Sequence, residues 1–136
     1  MQTQTAYQVN AKEGLLRNTL RGNAIFSVIS GLLFTFAAGQ VATFTGIPST
    51  IVVLVIGISL LPFAIIVFRV ATSSPLDKKG AKTIIGMDIA WVIASYVFLF
   101  VAWSMLTVGG RWFVALQGEA IFLFALFQSI GLRRIQ

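Results

Sequence analysis

The chain contains no cysteine and no histidine among its 136 residues. The absence of cysteine excludes a disulfide framework and thiol redox chemistry. The absence of both residue types excludes histidine-ligated haem and the usual zinc sites. The sequence also shows no nucleophile elbow, no phosphate-binding loop and no cluster of metal ligands. We therefore expect a protein without catalytic activity, cofactor or metal.

Charged residues are scarce as well. A soluble domain usually carries about 25% charged residues, whereas the fraction here is 10% and the hydrophobic fraction is 57%. The apolar residues fall in long uninterrupted runs rather than at periodic single positions, which favours membrane insertion over a soluble core. We interpret residues 1–136 as a single transmembrane domain.

Four apolar runs are each about as long as the roughly 20 residues that a helix needs to cross a bilayer. They predict transmembrane helices at about 23–43, 51–70, 83–106 and 112–131. Before the first run, residues 12–21 place leucines on one helical face and predict a short helix that lies on the membrane surface. The predicted fold is an all-α membrane protein, a bundle of four transmembrane helices.

A shift of 65 residues aligns the first pair of predicted helices with the second pair and brings Asn23 onto Asp88. This pattern predicts two tandem helical hairpins in the same orientation. Four identities can arise from apolar composition alone, so we use the shift only to predict that Asn23 and Asp88 lie at similar depth. The aligned identities are Ser30 with Ser95, Leu61 with Leu126, Ile65 with Ile130, and Arg69 with Arg134.

The basic residues are distributed asymmetrically, and Arg111 alone falls on one side of the predicted membrane. The positive-inside rule then places both termini and the 71–82 loop in the cytoplasm. This basic face predicts contact with anionic lipids, whereas nucleic acid is not expected. The basic residues of the cytoplasmic side are Lys12, Arg17, Arg21, Arg69, Lys78, Lys79, Lys82, Arg133 and Arg134.

Asp88 is a carboxylate near the start of the third apolar run, six residues after Lys82. The separation corresponds to about 9 Å of helical rise, so the side chain can reach the membrane interface. One interpretation is an interfacial ion pair or a carboxylate that the helix dipole stabilises. The other is a substrate or proton site. We expect Asp88 to lie beside Asn23 or an arginine such as Arg21, Arg69 or Arg133.

Glu119 is the second carboxylate within an apolar run, seven residues after Trp112 and therefore about 10 Å below the far interface. An ionised carboxylate in hydrocarbon is costly, so we expect Glu119 to be neutral and to point into the bundle or a subunit interface. It would be either a packed, protonated side chain or a proton or cation relay. The partners considered are Thr35, Gln40, Ser59 and Gln117, with Arg111 reachable only through water or a partner subunit.

Small residues form a stripe on two of the predicted helices. Small residues recur on the first helix, from Ser27 and Gly31 to Ala42, and on the third helix at Gly86, Ala90 and Ala94. Such stripes favour close helix packing.

Further polar residues lie within or beside the apolar runs and complete the set of candidate functional residues. The candidate functional residues are Asp88, Glu119, Asn23, Gln40, Gln128 and Arg69.

Three segments carry a resemblance to a known family: 23–27 (NAIFS) with Ser30 and Gly31, 88–92 (DIAWV) with Ser95, and 128–134 (QSIGLRR). In these segments the chain resembles a family of small four-helix bacterial integral membrane proteins, and the resemblance spans nearly the whole chain. It implies a four-helix fold in the bacterial inner membrane. It implies no particular activity, and Glu119 matches none of these motifs.

The sequence as a whole favours a non-enzymatic, multi-pass membrane protein that acts as a small accessory or assembly subunit. The expected assemblies are a homo-oligomer or a larger membrane complex. The alternative is a small transporter or channel subunit that uses Asp88 and Glu119. The two functions differ in whether both carboxylates face one continuous polar cavity.

Overall fold

The computed structural model describes the backbone of residues 2–136 and the side chains of residues 12–136. Within that part the chain is all-helical, without a strand, and the predicted all-α fold class is confirmed. The structure has five helices, and their division along the chain differs from the predicted four transmembrane helices and one surface helix. They are α1 (Gln2–Phe36), α2 (Ala38–Thr45), α3 (Thr50–Thr72), α4 (Lys78–Val101) and α5 (Val108–Ile135).

Four of these helices are long and apolar enough to cross a membrane: α1 from Lys12 onward, α3, α4 and α5. The chain is therefore a multi-pass membrane protein. Its first and last transmembrane helices meet at one end of the bundle, where Leu16 lies against Gly131. At the same end, Lys78 Nζ donates a hydrogen bond to the carbonyl oxygen of Ile135 at 3.2 Å. We call this end, which also holds the 73–77 loop, the basic end.

The predicted surface helix over 12–21 is wrong as a separate element. These residues belong to the continuous helix α1, and Leu16 and Leu20 are both 0% exposed. The leucine face that suggested a membrane-surface helix packs instead against the other helices of the bundle. An apolar stripe on a short segment is the same whether lipid or protein covers it, so the sequence could not separate the two cases.

The predicted first transmembrane helix is divided by a break at Ala37, whose backbone leaves helical geometry at φ −123° and ψ 32°. After the break, α2 packs on α3 and reaches the start of α5. The backbone N–H of Thr107 donates to the carbonyl oxygen of Thr45 at 3.1 Å. Gly110 lies so close to this carbonyl that a Cβ atom there would overlap it. The break therefore lets the first hairpin contact the second at the end opposite the basic end.

The helices of the second hairpin also differ from the prediction in their bounds. Helix α4 ends at Val101 rather than near 106, and α5 runs on to Ile135 rather than 131. Both helices also begin earlier than predicted, at Lys78 rather than 83 and at Val108 rather than 112. Two side chains account for these starting points. Asp77 caps α4 by accepting from the N–H of Gly80, and Thr107 caps α5 by accepting from the N–H of Gly110. Such side-chain caps satisfy N–H groups that have no partner within the helix.

The main core lies at the basic end, where all four transmembrane helices contribute buried side chains to one cluster. Towards the other end, two smaller clusters hold α2 to α3 and α4 to α5 separately. The two hairpins thus share their principal apolar core at the basic end. Its buried residues are Leu16, Leu20, Ala24, Val67, Val70, Ala71, Leu76, Ala81, Ile84, Ile85 and Leu132.

The two stripes of small residues have different environments. On α1, Gly31 packs against the backbone carbonyl of Gly57 on α3, so this stripe serves close packing within the chain, as predicted. On α4, Gly86, Ala90 and Ala94 are all exposed, and no atom would contact a Cβ added at Gly86. The small face of α4 is therefore not covered by the described part of the chain.

Replacing Gly131 with alanine is expected to destabilise the fold by about 1–3 kcal/mol, the usual cost of overpacking. A Cβ atom at this position would lie 2.8 Å from the backbone nitrogen of Leu16 and 2.9 Å from its Cα, so α1 and α5 would have to separate. The measurement is thermal unfolding in detergent. The matched control is Gly86→Ala, which meets no neighbour and should be neutral or slightly stabilising. Equal melting temperatures for the two variants would contradict this packing.

Candidate functional site

Three polar side chains from three helices meet inside the bundle. Asp88 on α4 accepts two hydrogen bonds at the same oxygen, Oδ2, from Asn23 Nδ2 on α1 at 2.8 Å and from Gln128 Nε2 on α5 at 2.9 Å. Asn23 Nδ2 also donates to Gln128 Oε1 at 3.0 Å. Exposure is 3% for Asp88, 1% for Asn23 and 0% for Gln128. We call this cluster the Asn23–Asp88–Gln128 triad.

The orientation of both amides follows from their other bonds. Ser27 Oγ donates to Asn23 Oδ1 at 3.4 Å, which leaves the NH₂ group of Asn23 directed at Asp88. Gln128 uses Oε1 to accept from Asn23, so its NH₂ group also faces Asp88. An amide can exchange its oxygen and nitrogen positions by a flip, and here the network selects one of the two orientations. Asp88 is therefore the acceptor on which the donors of two helices converge.

The expected proximity of Asp88 to Asn23 is confirmed, whereas the expected ion pair is wrong. Among the side chains of residues 12–136, the ion pair that forms joins Arg17 to Glu13, and Asp88 has amide partners instead. Arg21 and Arg69 are exposed. Asp88 also lies ten residues after the start of α4, beyond the first turn in which a helix dipole acts strongly.

The triad joins α1, α4 and α5, and its burial keeps bulk water from competing for its hydrogen bonds. Hydrogen bonds between transmembrane helices contribute on average about 0.6 kcal/mol each, so the three bonds together contribute roughly 2 kcal/mol. Each hydrogen bond forms only when its two helices have one particular orientation about their axes. The triad therefore also fixes which face of the second hairpin lies against the first. A substrate or proton role for Asp88 stays a prediction.

Glu119 does not point into the bundle, and of the two predicted positions the subunit interface stays a prediction. Its side chain is exposed on α5, whose buried face includes the neighbouring Gly118. One helical turn away on either side, Leu116 is 61% exposed and Leu123 is 47% exposed. Glu119 thus lies on the outward apolar face of α5, about 10 Å from Trp112 along the helix.

Glu119 has one hydrogen-bond partner among the described residues. The hydroxyl of Tyr96 on α4 donates to Glu119 Oε1 at 2.6 Å. None of the four partners considered from the sequence makes this contact. Arg111 instead stacks on Trp103, with its guanidinium carbon 4.3 Å from the ring centroid, and donates from Nε to the Trp103 carbonyl.

Tyr96 belongs to the candidate site but was not predicted from the sequence, although a signal for it existed. Tyr96 lies seven residues before Trp103, and Glu119 lies seven residues after Trp112. On antiparallel neighbouring helices, equal distances from interfacial tryptophans indicate equal depth. Counting from the basic residues in the same way gives Gln128 and Asp88 a similar depth. Gln128 lies five residues before Arg133, and Asp88 lies six residues after Lys82.

A shallow apolar groove runs along the outside of α4 and α5, towards the basic end from Glu119. Its volume is about 340 Å³. We call it the α4–α5 groove. Phe122 and Leu126, which line it, lie one and two turns along α5 from Glu119. The lining residues are Ile89, Val92, Ile93, Phe122, Ala125, Leu126 and Ser129.

The two carboxylates lie on different faces of the second hairpin. Asp88 faces the bundle interior, and Glu119 faces outward beside the α4–α5 groove, which neither carboxylate lines. Between them on the inner side, Trp91 Nε1 donates to Gln117 Oε1 at 2.8 Å. The described side chains therefore do not place Asp88 and Glu119 in one cavity, and a path that uses both stays a prediction.

The other two candidate residues join neither polar site. Gln40 is exposed on α2, and Arg69 is exposed in the last turn of α3. Two sites thus emerge from the six candidates: the buried Asn23–Asp88–Gln128 triad and the outward Tyr96–Glu119 pair. Comparison of the chain with protein-family models, with curated proteins and with solved structures gives no match, so its function is argued from these two sites.

Proposed function

We propose that this chain is a non-enzymatic accessory or assembly subunit that binds a transmembrane helix of a different membrane protein along the outward face of α4 and α5. The observation that supports this most is the exposure of Glu119 at membrane depth on an otherwise apolar surface. Ionisable residues within transmembrane segments almost always face a bundle interior, a cavity or a partner rather than lipid.

Within this chain, the exposed carboxyl group of Glu119 has too few hydrogen-bond partners to offset the cost of placing it in a membrane. Placing an acidic side chain at the centre of a membrane helix costs about 2.5–3.5 kcal/mol on insertion scales. Tyr96 satisfies one carboxyl oxygen, Oε1, and the same residue holds the side chain in a fixed direction. A neighbouring helix that donates a hydrogen bond or a positive charge to the second oxygen would remove most of the remaining cost.

The surface around Glu119 suits a helix as its occupant. The α4–α5 groove, about 340 Å³ in volume, can receive several apolar side chains of a partner helix. The small residues Gly86, Ala90 and Ala94 add little side-chain volume to the outward side of α4, so a second backbone can approach closely. The partner helix would thus carry apolar residues for the groove and one donor at the depth of Glu119.

A different protein fits this surface better than a second copy does. A two-fold contact between copies presents the same patch from both sides, and it would bring Glu119 towards Glu119. In that arrangement each carboxyl group faces a second acidic group, which supplies no positive charge and supplies a donor only when it is protonated. A partner with arginine, lysine, asparagine or glutamine at this depth supplies one directly.

The experiment that tests the proposed function is purification of the tagged chain from its native membranes in a mild detergent, followed by mass spectrometry. We expect one other integral membrane protein at a stoichiometric level. Its transmembrane segments should include a helix with a polar donor about 10 Å below the interface. Recovery of the chain alone, or of a homo-oligomer alone, would contradict the proposal.

The proposed membrane is the bacterial inner membrane, with both termini in the cytoplasm. The asymmetry of basic residues supports this orientation, since nine of the ten lie at the basic end. We expect a C-terminal alkaline phosphatase fusion to be inactive and a C-terminal green fluorescent protein fusion to be bright. As a control, insertion of alkaline phosphatase at Gly46, in the turn at the opposite end, should give activity. An active C-terminal phosphatase would contradict this orientation.

A further inference from the structure

A second cleft lies at the basic end, between the beginning of α1 and the end of α3. Its volume is about 420 Å³, and residues 14–21 form one wall while residues 72–74 form the other. The cleft lies beside the first turns of the candidate span Lys12–Phe36 and the last turn of the candidate span Thr50–Thr72, where the basic residues cluster. We infer from this position that it lies at the level of lipid headgroups. We call it the α1–α3 cleft.

The two arginines that line the cleft differ in how their charges are compensated. Arg17 donates from Nε and Nη2 to Glu13 Oε2 at 3.1 and 2.9 Å, and from Nη1 to the carbonyl oxygen of Ala71 at 2.8 Å. Arg21 is exposed, and within the described part of the chain its guanidinium donates one hydrogen bond, from Nη1 to Asn18 Oδ1 at 3.2 Å. Asn18 is neutral, so the positive charge of Arg21 has no carboxylate partner among the described side chains.

Polar groups on the opposite wall complete the chemistry of an anion site. Thr72, Ser73 and Ser74 present hydroxyl groups at the end of α3. Two of these hydroxyls already serve the backbone, since Thr72 donates to the carbonyl of Phe68 and Ser73 to that of Val70. Among the side chains of residues 12–136, the Ser74 hydroxyl has no hydrogen-bond partner. Arg21 and Ser74 therefore remain to bind an incoming ligand.

We propose that the α1–α3 cleft binds the phosphate group of an anionic lipid headgroup, with Arg21 and Ser74 as its ligands. A guanidinium group matches phosphate oxygens with two parallel N–H donors, and a hydroxyl group adds a third. The Arg17 guanidinium lines the same wall, but Glu13 balances its charge, so Arg21 supplies the net positive charge of the cleft. Gly14 has no atom within 4 Å of an added Cβ and leaves the mouth of the cleft open. This site is independent of the proposed partner surface on α4 and α5.

The test measures binding of a short-chain phosphatidylglycerol to the detergent-solubilised protein by native mass spectrometry. Arg21→Gln and Gly14→Leu should each weaken binding at least tenfold, the first by removing the charge and the second by filling the cleft with all charges retained. The matched control is Lys79→Gln, which removes one charge at the same end outside the cleft and should change affinity less than twofold. Melting temperatures within 2 °C of the wild type, roughly the shift that a few tenths of a kcal/mol produces, would show that each variant is folded.

Two further probes identify the source of the phosphate. Phosphatidylcholine of the same chain length should bind at least tenfold more weakly, and inorganic phosphate should not displace phosphatidylglycerol at millimolar concentration. Equal losses for Arg21→Gln and Lys79→Gln, with no loss for Gly14→Leu, would show diffuse electrostatic attraction and overturn the site. Efficient displacement by inorganic phosphate would overturn the assignment to a lipid.

Discussion

Replacing Asp88 with leucine is expected to lower the free energy of unfolding by about 2–4 kcal/mol. The substitution removes the acceptor that Asn23 Nδ2 and Gln128 Nε2 share, and it leaves these amide groups buried. A buried donor without a partner costs about 1–3 kcal/mol. The measurement is reversible unfolding in mixed micelles, followed through tryptophan fluorescence.

The conservative variant Asp88→Asn provides the control. Its side-chain oxygen can occupy the position of Oδ2 and accept both hydrogen bonds, so we expect a loss below about 1 kcal/mol. A triple variant with leucine at positions 23, 88 and 128 removes all the polar groups together and should recover most of the loss seen for Asp88→Leu. If Asp88→Asn destabilised as much as Asp88→Leu, the carboxylate charge rather than the hydrogen-bond network would be what matters.

Replacing Glu119 with leucine is expected to reduce recovery of the partner at least tenfold while the chain itself becomes no less stable. A tenfold loss corresponds to about 1.4 kcal/mol, within the range of a hydrogen bond to a charged group or between transmembrane helices. In the isolated chain, the same change removes a carboxyl group from an exposed apolar face and should leave the melting temperature equal or higher. The measurements are quantitative co-purification and thermal unfolding of the same samples.

The opposite signs of these two effects separate a partner site from a structural role. Tyr96→Phe removes the hydroxyl that holds Glu119 Oε1 and should weaken partner recovery less than Glu119→Leu does. Ser59→Leu is the matched control, because Ser59 is an exposed polar residue on α3 whose hydroxyl bonds only its own helix. Partner recovery that Glu119→Leu leaves unchanged, or that Ser59→Leu reduces equally, would argue against the proposed face.

Part of the candidate site could be predicted because depth in a membrane can be counted along a helix. Asp88 lies six residues from Lys82, and Asn23 lies two residues from Arg21, so both belong to the same end of the bundle. The 65-residue shift brings the same two residues together, and in the structure they share a 2.8 Å hydrogen bond. The number of membrane-spanning helices and their approximate positions follow equally from apolar length.

Rotation of each helix about its own axis could not be predicted, for a physical reason. In a soluble protein, polar residues mark the outward face, whereas in a membrane both lipid and protein interior are apolar. Leu16 and Leu116 are the same residue type, yet one is 0% and the other 61% exposed. For this reason the sequence could not show whether Glu119 points inward or outward. It also could not show whether residues 12–21 pack against lipid or against protein.

The break at Ala37 is a tertiary effect of a different kind. Residues 33–41 keep helical hydrogen bonds on either side of it, with Ala37 N donating to Leu33 O and Val41 N donating to Ala37 O. No proline marks the position. The direction of α2 is explained by what it contacts, namely Val53 on α3 and the turn before α5. Such long-range contacts leave no local sequence pattern.

The central claim is that a protein, rather than lipid, covers the outward face of α4 and α5. The most direct test places a photo-crosslinking amino acid at Leu123, one turn from Glu119, and separately at Val55 on α3, where 47% and 56% of the native side chains are exposed. Both variants are irradiated in native membranes and analysed by mass spectrometry. We predict that position 123 forms an adduct with one other membrane protein, while position 55 forms lipid adducts. Lipid adducts alone at both positions would contradict the claim.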